Sequence, residues 1–159
     1  MQNNALWYAL GASILALLYG TFLIFKILKK PQGEGKMLEI AKAIQAGAKA
    51  YLSRQYRTVG LIAIAIVILM KVVNFSNNTI IAFIIGAVLS ALAGFIGMNI
   101  SVRANVRTTE AAKKGLKQAL ALAFQGGTVT GLFVVGLGLL RITAFLLASK
   151  NDRSALIGL

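Results

Sequence analysis

Carboxylates are the side chains of this sequence that could take part in metal or phosphate chemistry, and they are few. The chain has four acidic residues: Glu34, Glu39, Glu110 and Asp152. Magnesium–phosphate chemistry needs clustered carboxylates, and no two of these have the spacing of metal ligands. None lies within an apolar run, where an ion path through a membrane normally has its carboxylates. The sequence therefore predicts no catalytic, cofactor-binding or metal-binding residue in this chain.

Histidine and cysteine are absent from the sequence. Their absence excludes disulfides, thiol nucleophiles, imidazole acid–base chemistry and zinc sites. What remains is a strong positive charge, with 17 basic residues against 4 acidic ones. In a soluble protein this balance would indicate nucleic-acid binding. Here the charges lie between apolar runs, so we interpret them as a membrane-topology signal and expect no nucleic-acid partner.

The segment 104–115, "ANVRTTEAAKKG", is the place where a phosphate could bind. Thr108 or Thr109 could cap the start of a helix with Glu110 in its first turn. Glu110 and Lys114 would then form a pair four residues apart. Capped helix starts attract anions. Because no glycine-rich cradle precedes this one, a structural role is favoured over phosphate binding.

The composition is that of a membrane protein, with 58% hydrophobic and 13% charged residues. Soluble domains have about 45–50% hydrophobic and about 25% charged residues. Four uncharged, apolar runs cover residues 5–25, 58–70, 79–102 and 118–140. About 20 residues are needed to cross the hydrocarbon core. We therefore predict an all-α integral membrane protein with transmembrane helices at about 5–27, 50–73, 79–102 and 118–140, and cytoplasmic loops at about 28–49 and 103–117.

The basic residues are distributed unevenly between the two sides of such a membrane protein. Segments 26–57 and 103–117 together hold thirteen of them, and the opposite side holds four: Lys71, Arg141, Lys150 and Arg153. Cytoplasmic loops carry the excess of lysine and arginine. The sequence thus predicts a multi-pass protein of the cell membrane whose N-terminus is outside and whose basic loops are cytoplasmic.

Residues 37–57 form an amphipathic pattern at helical spacing. One face holds Met37, Ile40, Ala41, Ile44, Ala48, Tyr51 and Gln55, and the opposite face holds Glu39, Lys42, Lys49 and Arg57. The segment could lie flat on the membrane or continue into the second transmembrane helix. We favour the second, because 58–70 is too short to span the bilayer alone. A straight helix over 37–73 would be about 55 Å long, so its cytoplasmic part needs packing partners that this chain barely supplies.

Two further features concern positioning. Arg54 and Arg57 would lie near the membrane boundary, where they either reach the lipid headgroups or hold neighbouring loops. Small residues that let helix backbones approach closely recur at Gly86, Ser90 and Gly94 and in the GxxxG pair Gly127 and Gly131.

Three stretches of the sequence resemble one family closely. They are "MLEIAKAIQAGAKAYLSRQYRT" (37–58), "GFIGMNISVRANVRTTEAAKKGLKQAL" (94–120) and "AFQGGTVTGLFVVGLGLL" (123–140). Together they are similar to the N-terminal part of the membrane-embedded inorganic pyrophosphatases, which are pyrophosphate-energised proton or sodium pumps. Gln125 departs from the arginine expected in many members.

The resemblance implies a fold of sixteen transmembrane helices in two concentric rings, usually in a homodimer, of which this chain is the first four helices. It implies pyrophosphate as substrate, Mg²⁺ as cofactor, and partners in the remaining helices and the lipid bilayer. The family's aspartate-rich motif begins on the fifth helix, and the sequence ends at "SALIGL", near the start of that helix. No catalytic, magnesium or gate residue of the family therefore maps onto this chain, and we expect the isolated chain to be inactive. The choice between H⁺ and Na⁺ and the need for K⁺ stay open.

One alternative is a small four-helix membrane protein without enzymatic activity, such as a scaffold or accessory subunit. The coding sequence downstream of Leu159 would distinguish the two, because a pump requires an in-frame continuation into an aspartate-rich helix.

Overall fold

The structure, a computed structural model, describes residues 2–148, with side chains described for residues 4–147. This part of the chain forms helices α1 (Gln2–Leu28), α2 (Lys36–Val72), α3 (Asn77–Ala112) and α4 (Leu116–Ala148) and contains no strand. All four are long and apolar enough to cross a membrane. The prediction of an all-α membrane protein is confirmed. Lys150, Asp152 and Arg153 lie outside the described residues.

Short polar connections separate the helices. The link after α1 contains Pro31, which cannot continue a helix, and Gly33, which has a φ of +77°. Ser76 caps α3, because its side chain accepts a hydrogen bond from the Thr79 backbone N–H at 3.2 Å. Between α3 and α4, Gly115 has a φ of +128°, a conformation that suits glycine.

The expected helix start at Thr108 or Thr109 is wrong. Both residues lie within α3, which continues to Ala112, and the Thr109 hydroxyl donates to the Asn105 carbonyl at 3.0 Å. The reason is local, since no proline or glycine lies between Gly97 and Gly115 to stop the helix. The anion site considered for a capped helix start at this position therefore does not exist.

Helix α2 is a single element of 37 residues, as the sequence indicates. Its packed face, however, is rotated from the apolar face that the amphipathic pattern of residues 37–57 predicts. Ala41 and Leu52 are buried, whereas Ile40, Ile44 and Tyr51 are 59%, 49% and 59% exposed. The apolar stripe of the first half of α2 thus stays largely without cover within the described part of the chain.

The helices pack in the order α2–α3–α4–α1, with α3 and α4 in the most extensive contact. The core lies between α1, α3 and α4 and consists of Leu23, Ile27, Ile100, Ala104, Leu122, Val129 and Phe133. Helix α2 makes extensive contact with α3 and with no other helix of the described residues. There the Tyr56 hydroxyl donates to the Ala91 carbonyl at 2.8 Å, and the Tyr56 ring meets Phe95 edge-on.

Small residues permit the close contacts between helices. Only some of these residues are the ones that the sequence indicated. A Cβ on Gly97 would lie 2.8 Å from Thr130, and one on Gly126 would lie 3.1 Å from Ala104. A Cβ on Gly94 would lie 3.0 Å from the Tyr56 hydroxyl, so this glycine does let α2 approach. The expected GxxxG contact is wrong for the described residues, because a Cβ on Gly127 or on Gly131 would meet no atom within 4 Å.

Candidate functional site

The three carboxylates in the described part of the chain do not converge. Glu34 lies in the α1–α2 link, Glu39 in the first turn of α2, and both are exposed, whereas Glu110 near the end of α3 is partly buried. Among residues 2–148, no group of three or more acidic, histidine or cysteine side chains could hold a metal ion. The described residues thus bring together no set of ligands for magnesium.

Glu110 joins the end of α3 to the α1–α2 link. Its carboxylate forms an ion pair of 2.6 Å with Lys113, so the pair expected with Lys114 is wrong. The backbone at Gly33 packs so close that a Cβ there would lie 2.6 Å from Glu110 Oε2 and 2.5 Å from Met37 Sδ. Glu110 therefore has a structural role, in which it supports the link on the end of α3.

Arg107 is the residue at this end of the molecule whose role the sequence did not reveal. It is only 4% exposed. Its Nε donates to the Lys30 carbonyl at 3.1 Å, its Nη2 to the Leu28 carbonyl at 3.1 Å and its Nη1 to the Arg103 carbonyl at 2.7 Å. Leu28 is the last residue of α1 and Lys30 lies two residues beyond it. Carbonyls at the end of a helix have no partner within the helix itself. Arg107 thus fixes the end of α1 to α3.

A basic cleft of about 320 Å³ opens beside Arg107, between α1, α3 and α4. Lys26, Lys30 and Lys114 line it together with Glu110 and Gln125. Gln125 has a buried Oε1 without a hydrogen-bond partner among the described residues. Clustered lysines attract anions, and Glu110, which is paired with Lys113, is the one carboxylate among the residues that line this cleft.

Arg54 and Arg57 are exposed on α2. Their side chains form no hydrogen bond or ion pair within residues 4–147, so they do not hold the loops of this part of the chain. That they reach the lipid headgroups remains a prediction.

Comparison with known proteins supports the resemblance found in the sequence. The family model described as "Inorganic H+ pyrophosphatase" matches residues 14–157. A K⁺-insensitive pyrophosphate-energized proton pump of Methanosarcina mazei is 45% identical over 148 residues, which are 92% of this chain and 22% of the relative. Proton pump 2 of Moorella thermoacetica, also named K⁺-insensitive and pyrophosphate-energized, is 44% identical over 138 residues, 87% of this chain and 20% of the relative.

A third relative is named for a different ion. The putative K⁺-stimulated pyrophosphate-energized sodium pump of Bacteroides thetaiotaomicron is 37% identical over 148 residues, 90% of this chain and 20% of the relative. The chain thus spans about a fifth of the length of the curated relatives that it matches. The family match covers most of the sequence and agrees with the four apolar helices. This chain belongs to the family of inorganic H⁺ pyrophosphatases.

Proposed function

We propose that this chain is the N-terminal part of a membrane-bound pyrophosphatase that couples pyrophosphate hydrolysis to transport of H⁺ or Na⁺ across the cell membrane. The observation that carries the proposal is the family match over residues 14–157, together with relatives that are named as pyrophosphate-energized pumps. The four helices that are long and apolar enough to cross a membrane support it.

Within such a pump, these four helices serve as a scaffold. The catalytic residues and the ligands of Mg²⁺ belong to the remainder of the protein, and the whole pump acts as a homodimer. This division of roles is supported by the separation of Glu34, Glu39 and Glu110 and by the structural contacts that Glu110 makes. The transported ion stays open, because relatives of both kinds match this chain.

The test uses the full-length pump that contains residues 1–159, purified and reconstituted in proteoliposomes. We expect Mg²⁺-dependent release of phosphate from pyrophosphate, accompanied by acidification of the lumen or by uptake of ²²Na⁺. Parallel assays with and without K⁺ and with a protonophore or a Na⁺ ionophore identify the ion and the need for K⁺. The absence of pyrophosphate hydrolysis under all these conditions would refute the proposed function.

The isolated 159-residue chain provides the complementary measurement. We expect it to release no phosphate from pyrophosphate with Mg²⁺, because the described residues contain no cluster of carboxylates to hold the metal. The full-length pump at the same molar concentration serves as the positive control. Hydrolysis by the purified chain above a buffer blank would show that the division of roles is wrong.

A further inference from the structure

Arg141 occupies an unusual position in the second half of α4. It lines a cleft of about 440 Å³ between α3 and α4, opposite Leu89, Ser90 and Gly94. Its side chain is partly buried, and its Nε is buried without a hydrogen-bond partner among the described residues. The cleft walls are otherwise mostly apolar or small side chains.

Two neighbouring helices show how deep this cleft lies. Along α3, Ser90 is about 16 Å from Thr79, the start of an uncharged run that ends at Val102. Since the hydrocarbon core is about 30 Å thick, Ser90 lies near its middle. A Cβ on Gly136 of α4 would lie 3.0 Å from Leu17 and 3.4 Å from the Ser13 carbonyl, both within the uncharged run 5–25 of α1.

The direction of the Arg141 side chain and the apolar sequence after it are consistent with a position of the cleft inside the hydrocarbon core. Arg141 lies about 7.5 Å beyond Gly136 along α4, and helical side chains point back toward the N-terminus of their helix, here toward the middle of the membrane. Helix α4 then continues through the apolar stretch "ITAFLLA" to Ala148. The transmembrane part of α4 accordingly extends from about residue 125 to about residue 147, and Arg141 lies inside it.

A charged arginine in the membrane faces the interior of a helix bundle and pairs with another group. The carboxylates in the described residues cannot be that group. Glu34 lies in the α1–α2 link, Glu39 in the first turn of α2 and Glu110 near the end of α3. All three are thus at the end of the molecule opposite to Arg141, far from the α3–α4 cleft. A second copy of the chain would bring the same three groups at the same ends. The fourth, Asp152, follows the apolar stretch in the sequence.

The geometry points to an ion pair between Arg141 and an aspartate or glutamate within the apolar part of a transmembrane helix outside residues 1–159, which docks on the α3–α4 cleft. Charge complementarity supports this occupant, because the Arg141 Nε is a buried donor without an acceptor among the described residues. The inference rests on the proposed function, since the partner helix belongs to the remainder of the pump, and the relatives are about four times as long as this chain.

The experiment is a double-mutant cycle in the full-length pump, read as the midpoint temperature of thermal unfolding in detergent. Arg141→Leu is combined in turn with neutral replacements of each aspartate or glutamate in the apolar runs of the remainder. We expect Arg141→Leu to lower Tm by about 5 °C or more. We expect one carboxylate replacement to lower Tm in the wild-type background by about as much as Arg141→Leu does. In the Arg141→Leu background, the same replacement should leave Tm unchanged or raise it.

Arg141→Lys, which keeps the charge, is the matched control and should keep most of the wild-type Tm. Arg141→Gln takes the place of the leucine variant if the latter does not accumulate in the membrane. An unchanged Tm in Arg141→Leu, or strict additivity with every carboxylate replacement, would overturn the inference. Failure of the proposed function is distinguishable, because it would appear as a wild-type pump that does not hydrolyse pyrophosphate, whereas the Tm cycle needs no activity.

Discussion

Arg107 shows how one side chain can hold two distant segments together. The three carbonyls that accept its hydrogen bonds belong to Leu28, Lys30 and Arg103. A guanidinium presents several donors in a fixed plane, which a lysine ammonium cannot reproduce. Because the side chain is almost completely buried, its removal would leave the Leu28 and Lys30 carbonyls poorly satisfied near the end of α1.

We therefore expect Arg107→Leu to lower the free energy of unfolding of the isolated chain by about 3 kcal/mol. Arg107→Lys should be intermediate, since it keeps the charge but not the geometry. The measurement is denaturant unfolding in detergent followed by circular dichroism. Arg103→Leu is the control, because the Arg103 side chain is exposed and its backbone carbonyl is retained. Equal stability of the Arg107 and Arg103 leucine variants would contradict the role assigned to Arg107.

Gly126 and Gly127 are neighbours in the sequence with opposite surroundings. A Cβ on Gly126 would meet Ala104 at 3.1 Å, whereas one on Gly127 would meet nothing within 4 Å among the described residues. Gly126→Leu should destabilise the isolated chain by about 1–3 kcal/mol, because a larger side chain forces α3 and α4 apart. Gly127→Leu is the matched control and should not lower the free energy of unfolding. The same denaturant titration compares the two variants. A similar loss in both variants would mean that glycine acts here through the helix backbone and not through packing.

Helix α2 is the least anchored of the four elements. No residue in its most apolar 18-residue window is buried within the chain, and its main neighbour is α3. Near its middle, α2 is held on α3 by the Tyr56 hydroxyl, which donates to the Ala91 carbonyl. A segment with few buried contacts opens locally at a low free-energy cost.

This anchoring leads to a prediction about local opening of α2. Tyr56→Phe removes one hydrogen bond, and such bonds contribute on average about 0.6 kcal/mol within membranes. We expect amide hydrogen exchange around Tyr56 in α2 to rise about threefold, with no change in α4. Tyr51→Phe is the control, because the Tyr51 side chain is exposed and forms no hydrogen bond in the described part of the chain. Equal exchange in the two variants would show that the Tyr56 hydroxyl does not anchor α2.

The number of helices and the continuity of α2 could be read from the sequence, because long apolar runs and the lack of helix breakers are local properties. The packing face of α2 could not, since Ile40 and Ile44 look like core residues on a helical wheel but stay exposed. In a membrane protein, apolar character also suits lipid or a further helix, so it does not identify the neighbour within the chain.

The same reason explains the residues at the candidate site. Arg107 is one of five basic residues in 103–117, and its type and spacing do not differ from those of the others. Its acceptors, the carbonyls of Leu28 and Lys30, lie almost 80 residues earlier in the chain, with separations of 79 and 77. Only the tertiary arrangement distinguishes it, just as only the rotation of α4 distinguishes Gly126 from Gly127.

At the scale of the whole molecule, residues 2–148 form a row of four helices in which every helix keeps an exposed apolar face. Examples are Phe22 on α1, Ile64 on α2 and Phe124 on α4, at 58%, 60% and 73% exposure. An apolar surface of this extent needs a membrane or further protein around it. The pump proposed above would supply both, since the relatives are about four times as long as this chain.

The orientation of this row in the membrane gives the last prediction. Cytoplasmic loops attract the excess of basic residues, and the segments 26–57 and 103–117 contain thirteen of the 17. The α1–α2 and α3–α4 links should therefore be cytoplasmic, and the α2–α3 link, with the N-terminus, outside. Since the chain has no cysteine, a single cysteine introduced in each link provides an unambiguous probe.

Glu34→Cys replaces an exposed residue of the α1–α2 link, and Asn78→Cys replaces an exposed residue in the first turn of α3, next to the α2–α3 link. In intact cells, a membrane-impermeant maleimide should label Asn78→Cys and leave Glu34→Cys unlabelled. After the cells are opened, both should react to the same extent, which controls for the reactivity of each thiol. Labelling of Glu34→Cys in intact cells would reverse the orientation and, with it, the side of the membrane on which Arg107 joins the end of α1 to α3.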